Sequence, residues 1–341
     1  MESRVHRHPG RPVLLITALL ITALLLAGCV TAPREPAARL ADAGMQATAS
    51  FGSDTSALAA QVANGGVAGT FVERWQLCTA SPANCGLELP VDPNVMLRLD
   101  LAKIIQLRAA ALAELNQAYA ALKQEAEYDA RTHMRGAVNE AVASTNGFAA
   151  AAFSLAGMPS TQIPATVGNM VAFAGGLIAD QRQKGRILAA NAKLREVTQR
   201  LHDGLAAEAQ VFDRIADPIA QRRTDTTLIL YDEGLLDGSQ LIKPMMDSLE
   251  MPVPPGIGAK MAASPALRAA VRDAVRAQRQ LEAVRSRARY RASLSALQAL
   301  VVEHDNLAQE RSVSLTEVGR MLGEVNALLQ PASAPPGADD K

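Results

Sequence analysis

Few side chains in this sequence are of kinds that do chemistry, and their spacing narrows what they can do. The 341 residues hold three cysteines and five histidines. Of the histidines, His133, His202 and His304 lie beyond the N-terminal segment. None stands in His-Glu-x-x-His, which puts two zinc ligands and a general base on one helix face, or in the Glu-x-x-His spacing of a helical di-iron site. No Gly-x-Ser-x-Gly elbow, Ser-x-x-Lys pair or phosphate-cradling Walker loop occurs. Gly256-Ile257-Gly258 sits beside prolines, without the strand and third glycine of a dinucleotide site. These patterns point to a non-enzymatic protein with no cofactor and no metal, in which each histidine is a helix-surface or seam residue.

The first cysteine has a context of its own. Arg4, Arg7 and Arg11 form a positive stretch, Val13 to Leu26 is apolar, and Leu26-Ala27-Gly28-Cys29 follows at once. An apolar run this short, so flanked, reads as a secretory signal and not as a spanning helix. Small residues before the cut fit a peptidase's narrow subsites, and a cysteine directly after it offers a thiol for a thioether-linked lipid. The four residues resemble the lipobox of bacterial lipoproteins, a resemblance confined to positions 1–29. It implies removal of residues 1–28 and a lipidated N-terminus at Cys29. In that family an aspartate after the cysteine retains the protein at the inner membrane; Val30 stands here, which implies a periplasm-facing outer-membrane anchor. Acyl chains contributing about 0.8 kcal/mol per buried methylene make such an anchor essentially permanent.

Export places the other two cysteines, Cys78 and Cys85 in "RWQLCTASPANCGLELP", under oxidising conditions. Seven positions apart, with Pro82 and Asn84 between them, they read as a disulfide closing a turn. Two thiols without a nearby histidine are half a zinc site, and redox pairs more often have two residues between the cysteines.

The elements that position these residues are helical. Removing residues 1–28 takes the formal charge from zero to −2, because Arg4, Arg7 and Arg11 leave with Glu2. No global charge then argues for nucleic acid. Alanine is abundant and aromatics make up only 3% of residues, a mixture that favours closely packed helices over sheets. Positions 29–91 read as a tether, a short helix from Ala38 to Ala63 that stops at Asn64-Gly65-Gly66, and the disulfide loop. Asp92-Pro93 opens the next helix, with the aspartate as cap and proline in the first turn. Leu101, Ile105, Leu112, Leu115, Tyr119, Leu122 and Ala126 then recur at heptad spacing, interrupted by Arg108, as in a coiled-coil seam. The seam resumes with Leu194, Leu201, Leu205, Phe212, Ile215 and Ile219, where Pro218 should kink or end the helix. The strongest turn signal between the two arms is "MPSTQIP", so residues 92–220 are expected to form a long antiparallel hairpin.

The closed end of that hairpin is unusual: 39 consecutive positions, Ala141 to Ala179, carry no charge. Ala143, Gly147, Ala150, Ser154 and Gly157 form one small-residue stripe, and Gly168, Ala172, Gly175 and Ala179 another. Such stripes allow close backbone approach. This arrangement leaves Phe148, Leu155, Met170, Phe173 and Leu177 on other faces as candidates for membrane or partner contact. The block reads first as a buried bundle end. The alternatives are a hairpin that inserts into a membrane or a docking surface for a partner or second copy. An apolar hairpin capping long amphipathic helices resembles the architecture of α-helical pore-forming toxins, by analogy alone.

Residues 221–263 read as an irregular, proline-rich connector around "MPVPPGIG". Residues 264–330 read as two helices, the first capped by Ser264-Pro265 and carrying Leu267, Val271, Val275, Leu281, Val284, Leu294, Leu297 and Val301. The second opens at a capping box, Ser314-Leu315-Thr316-Glu317, before Val318, Leu322, Val325 and Leu329. Residues 331–341 read as a disordered tail. Arg268, Arg272, Arg276 and Arg279 share one helix face, which is either a contact for anionic lipid or a solvated face paired with acids such as Glu125 and Glu127. The whole reads as an all-α, elongated bundle: a lipid-anchored structural or protein-interaction module of the cell envelope, or, in another class, a membrane-perturbing protein that inserts residues 141–179.

Overall fold

The computed structural model describes residues 33–86, 88, 93–128, 131–160 and 179–329. The described residues form helices and no strand. They are α1 (Arg34–Ala80), a 3-10 turn (Pro82–Gly86), α2 (Pro93–Tyr128), α3 (Arg131–Ala156), α4 (Ala179–Asp232), α5 (Gly238–Ser248), α6 (Ile257–Ala263), α7 (Pro265–Ala308) and α8 (Thr316–Leu329). The protein is an all-α bundle.

The heptad seam of α2 is its core face: Leu101, Ile105, Leu112, Leu115, Tyr119, Leu122 and Ala126 are all buried. Side-chain pairings set the helix directions. Between α2 and α4, Glu125 meets Arg186, Tyr119 meets Thr198 and Arg108 meets Glu208, so the two run antiparallel. Between α4 and α7, Arg195 meets Asp305, Glu208 meets Tyr290 and Asp232 meets Arg272, again antiparallel. On the other side α1 docks on α2, where the Asn116 amide donates to the Met45 carbonyl at 2.9 Å and Lys123 pairs with Asp42. Gly44 makes this approach feasible, since a Cβ there would lie 2.5 Å from the Tyr119 ring.

The expected hairpin is corrected in its first arm. The arm is two helices, not one: α2 ends at Tyr128, and after two residues α3 turns back to pack along α2 and against α4. Neither glycine nor proline stands between Tyr128 and Arg131, so the sequence there carries only the weak break signal of Asp129. The expected turn residues 161–178 lie outside the described residues, as do Met170, Phe173, Leu177 and the outgoing stripe residues Gly168, Ala172 and Gly175.

The incoming small-residue stripe is also corrected, because it faces outward. Ala143 and Ser154 are exposed, while Val138, Ala141, Val142, Phe148, Ala149 and Ala152 are fully buried. Burying a phenylalanine and two valines removes far more apolar area from water than burying alanine and glycine, so the larger side chains take the inner face. Close approach is made instead by Gly204 on α4, where a Cβ would lie 2.8 Å from the Phe148 ring and 3.2 Å from the Ala149 Cα. At Gly147 a Cβ would have nothing within 4 Å. Gly147→Ala is therefore expected to stabilise the chain by about 0.5–1 kcal/mol through helix propensity. Gly204→Ala, forced against Phe148, should instead cost about 1–2 kcal/mol net, since overpacking outweighs the same propensity gain. Urea unfolding of the two variants should shift the midpoint in opposite directions.

Other boundaries move outward. Helix α1 continues through Asn64-Gly65-Gly66 to Ala80, because buried Leu58, Val62 and Val72 carry its apolar face across the glycines. Helix α4 runs through Pro218 to Asp232. Packing on α7 both before and after the proline offsets its penalty of about 3 kcal/mol. The region expected as an irregular connector, 221–263, is mostly helical: it holds the end of α4, then α5 and α6. Two segments among these residues are irregular, Glu233 to Asp237 and Leu249 to Gly256. The Asp237 side chain caps α5. A small second core of Leu228, Tyr231, Ile242, Met261, Val271 and Val275 ties these short helices to α4 and α7.

At the C-terminal end, the Ser264 hydroxyl caps α7 by accepting from the Leu267 N–H, with Pro265 following as expected. The capping box at Ser314 does not close. Glu317 reaches forward to Arg320, and the Ser314 N–H donates to Glu303 instead. Val318, Leu322 and Val325 are buried as read, but Leu267, Leu281 and Val284 are exposed at 41%, 50% and 60%. Residues 331–341 lie outside the described residues.

Candidate functional site

Two polar clusters lie inside the bundle, and both are built from heptad positions occupied by polar residues. The first joins α2, α4 and α7. The Asn191 amide donates to the His304 carbonyl at 2.9 Å, which fixes the amide so that its oxygen faces the His304 Nδ1 at 2.7 Å. Nδ1 must therefore carry the proton, leaving Nε2 to accept from the Tyr119 hydroxyl at 2.8 Å. The Tyr119 oxygen in turn lies 2.8 Å from the Thr198 hydroxyl, which completes the chain as donor. His304 and Tyr119 are fully buried, and their rings stack at 5.7 Å. Burial pushes the His304 pKa down to about 3, with Arg195 adding to the shift and Asp305 opposing it. Burial likewise raises the Tyr119 hydroxyl well above its ordinary value, against the Thr198 hydrogen bond.

The second cluster contains the residue that interrupted the seam. Arg108 Nη1 donates both to Glu208 Oε1 and to the Tyr290 hydroxyl, each at 3.0 Å, and that hydroxyl donates to Glu208 Oε1 at 2.7 Å. The guanidinium lies 5.3 Å from the Tyr290 ring centroid, and the Phe212 ring packs against the Tyr290 ring at 5.1 Å between centroids. Burial raises the Tyr290 pKa strongly, the nearby Arg108 charge working against it. A buried ion pair of this kind is weak as a source of stability but strict about register, because each partner is costly to leave alone.

Both clusters had a readable signal. Thr198 and Glu208 fall in the α4 seam beside Leu194, Leu201 and Leu205, and Tyr290, Leu297 and His304 repeat every seven positions in α7. A polar residue at a seam position implies a polar partner on the facing helix. The partner's identity depends on which helices face each other, which the sequence alone does not say.

The other expected site residues are placed as follows. Cys29 lies outside the described residues. Cys78, in the last turn of α1, and Cys85, in the 3-10 turn, stand at disulfide distance with Cα atoms 4.6 Å apart. Phe148 is fully buried in the main core and Leu155 is half-buried against it. The end of α3 is held to α4 by Arg200, which stacks 4.7 Å over the Phe153 ring and donates to Ser160 at 3.0 Å. His202 lies beside Asp203, and His133 falls in the first turn of α3.

Arg272 pairs with Asp232, Arg276 with Asp273 and Arg279 with Glu282, while Arg268 is half-buried. The acids anticipated as partners are elsewhere: Glu125 is held by Arg186 and Glu127 lies near Lys123. Of the α7 arginines, Arg272 reaches α4 and Arg276 and Arg279 pair within α7, whereas Glu125 and Glu127 sit near the end of α2.

Among the described residues no group of three or more His, Cys, Asp and Glu gathers as a metal site, and no helix is long and apolar enough to cross a membrane. No protein-family model, no curated protein and no solved structure matches the chain.

Proposed function

We propose that this protein is anchored by lipid at Cys29 to the outer membrane, facing the periplasm, and that its mature chain is a non-enzymatic structural or protein-interaction module. The observation that carries the anchor is Leu26-Ala27-Gly28-Cys29 placed directly after an apolar run. A Cys78–Cys85 pair at disulfide distance is in keeping with an exported chain. The module reading is supported by how the deepest polar groups are used. His304, Tyr119, Arg108 and Glu208 bond to one another between helices and set helix register. The burial of Phe148 in the main core supports this reading over membrane insertion of residues 141–179.

Expression in a bacterial host fed an alkyne-tagged palmitate tests the anchor. The wild-type chain should incorporate the tag and sediment with outer membranes, and Cys29→Ala should lose both. A tag retained by Cys29→Ala, or an untagged wild-type chain in the soluble periplasmic fraction, would overturn the anchor.

A further inference from the structure

A large cavity, separate from the His304 cluster, reaches Phe212 beside the second cluster. Its walls come from the second half of α4, from α5 and from the first half of α7, with the middle of α1 and the end of α8 closing it. Its volume is about 810 Å³, within the range of about 300–1,000 Å³ usual for sites that take a small organic ligand. Val62 and Phe212, both buried, and Leu281, half exposed, give it an apolar body. Small side chains at Ala220, Ala274 and Ala277 leave the walls smooth.

The same lining is unbalanced in charge. It holds Lys243, Arg223, Arg279, Arg285 and Arg289 against only Asp247 and Glu282. Those two acids are already engaged, Asp247 by Lys243 and Glu282 by Arg279. Arg223 and Arg285 have no salt-bridge partner among the described residues. Burial lowers the Arg223 pKa and the neighbouring Arg279 lowers it further, with Glu282 opposing, so this guanidinium is short of solvent and faces a second cation. Of the arginine face formed by Arg268, Arg272, Arg276 and Arg279, only Arg279 lines the cavity.

An apolar body of this size with a surplus of cations excludes two ligand classes. An inorganic anion would leave the apolar walls unfilled, and a neutral apolar molecule would leave the arginines uncompensated. We propose that the cavity binds an anionic amphiphile, with an acyl-type chain beside Val62, Phe212 and Leu281 and an anionic head at Arg223 and Arg285. A free fatty acid and a phospholipid share this chemistry.

The test uses the mature chain with Cys29→Ser, so that no acyl group of its own competes, titrated with the fluorescent fatty acid cis-parinaric acid. Expected is a saturable rise in fluorescence at one probe per chain. Oleate and lysophosphatidylglycerol should displace it, and the better competitor identifies the source of the head group. Oleyl alcohol should compete at least about tenfold more weakly, and inorganic phosphate not at all. Arg223→Gln with Arg285→Gln should weaken the probe by about tenfold while leaving competition by oleyl alcohol unchanged. Ala277→Trp, at an exposed rim position, should block the probe, and it decides the matter if the arginine variant fails to fold. Absence of saturable binding would overturn the proposal. Equal competition by oleate and oleyl alcohol, or probe affinity unchanged in folded Arg223→Gln/Arg285→Gln or Ala277→Trp, would also overturn it.

Discussion

Arg108→Met is expected to destabilise the mature chain by about 3–5 kcal/mol, the largest effect anticipated for any single substitution here. The reason is the partner left behind. Glu208 has a side chain that is 0% exposed, and without the guanidinium it is a buried carboxylate that keeps the Tyr290 hydroxyl at 2.7 Å but loses the Arg108 charge. Glu208→Leu alone should cost a similar amount by stranding Arg108. The double variant Arg108→Met/Glu208→Leu should recover most of the loss, since methionine and leucine of similar length fill the seam without charge. Urea unfolding at pH 7, followed by circular dichroism, measures all three. Losses that simply add in the double variant would mean that the two residues do not act as a pair.

The second large effect concerns pH. Folded His304 has a pKa of about 3 against an ordinary 6.5, so between those values the unfolded chain holds a proton that the folded chain does not. Stability contributed by neutral His304 is complete above about pH 6.5 and is lost as pH falls toward 3, at about 1.4 kcal/mol per pH unit. The groups around the ring are Tyr119, Thr198 and Asn191, with Asp305 and Arg195 near it; none of the first three titrates in this window. His304→Gln keeps a donor and an acceptor but removes the titration. Carboxylates elsewhere make both proteins less stable in acid, so the comparison isolates the histidine. Between pH 7 and pH 5 the wild-type chain should lose about 2 kcal/mol more than His304→Gln. Parallel stability profiles would show that His304 is not held neutral.

The legible parts of this fold were those encoded by spacing. The α2 seam from Leu101 to Ala126, the α4 seam from Leu194 to Phe212, the Ser264-Pro265 cap and the cysteine pair could all be read from neighbouring residues. The misread parts depend on contacts distant in sequence. Pro218 and Asn64-Gly65-Gly66 carry local stop signals, yet α4 and α1 pass through them because neighbouring helices bury residues on both sides. The reversal after Tyr128 has the opposite problem, since neither glycine nor proline separates α2 from α3.

The α3 stripe was inverted because the rule for small residues comes from helices in lipid, where apolar area brings no gain. In a bundle formed in water, Phe148 and Val142 belong inside. The polar clusters were half legible. Arg108 stood out as an interruption of the seam, but its partners Glu208 and Tyr290 lie 100 and 182 positions away.

The most direct test of this account asks whether the incoming half of the uncharged block stays in the bundle. Amide hydrogen exchange of residues 141–156 should be followed in the unlipidated mature chain, with and without liposomes that hold a trapped dye. Core placement of Phe148 predicts strong protection that liposomes leave unchanged, with the dye retained. Loss of protection across Ala141–Ala156 in buffer, or altered protection accompanied by dye release when liposomes are added, would contradict the module reading and show that this helix leaves the bundle.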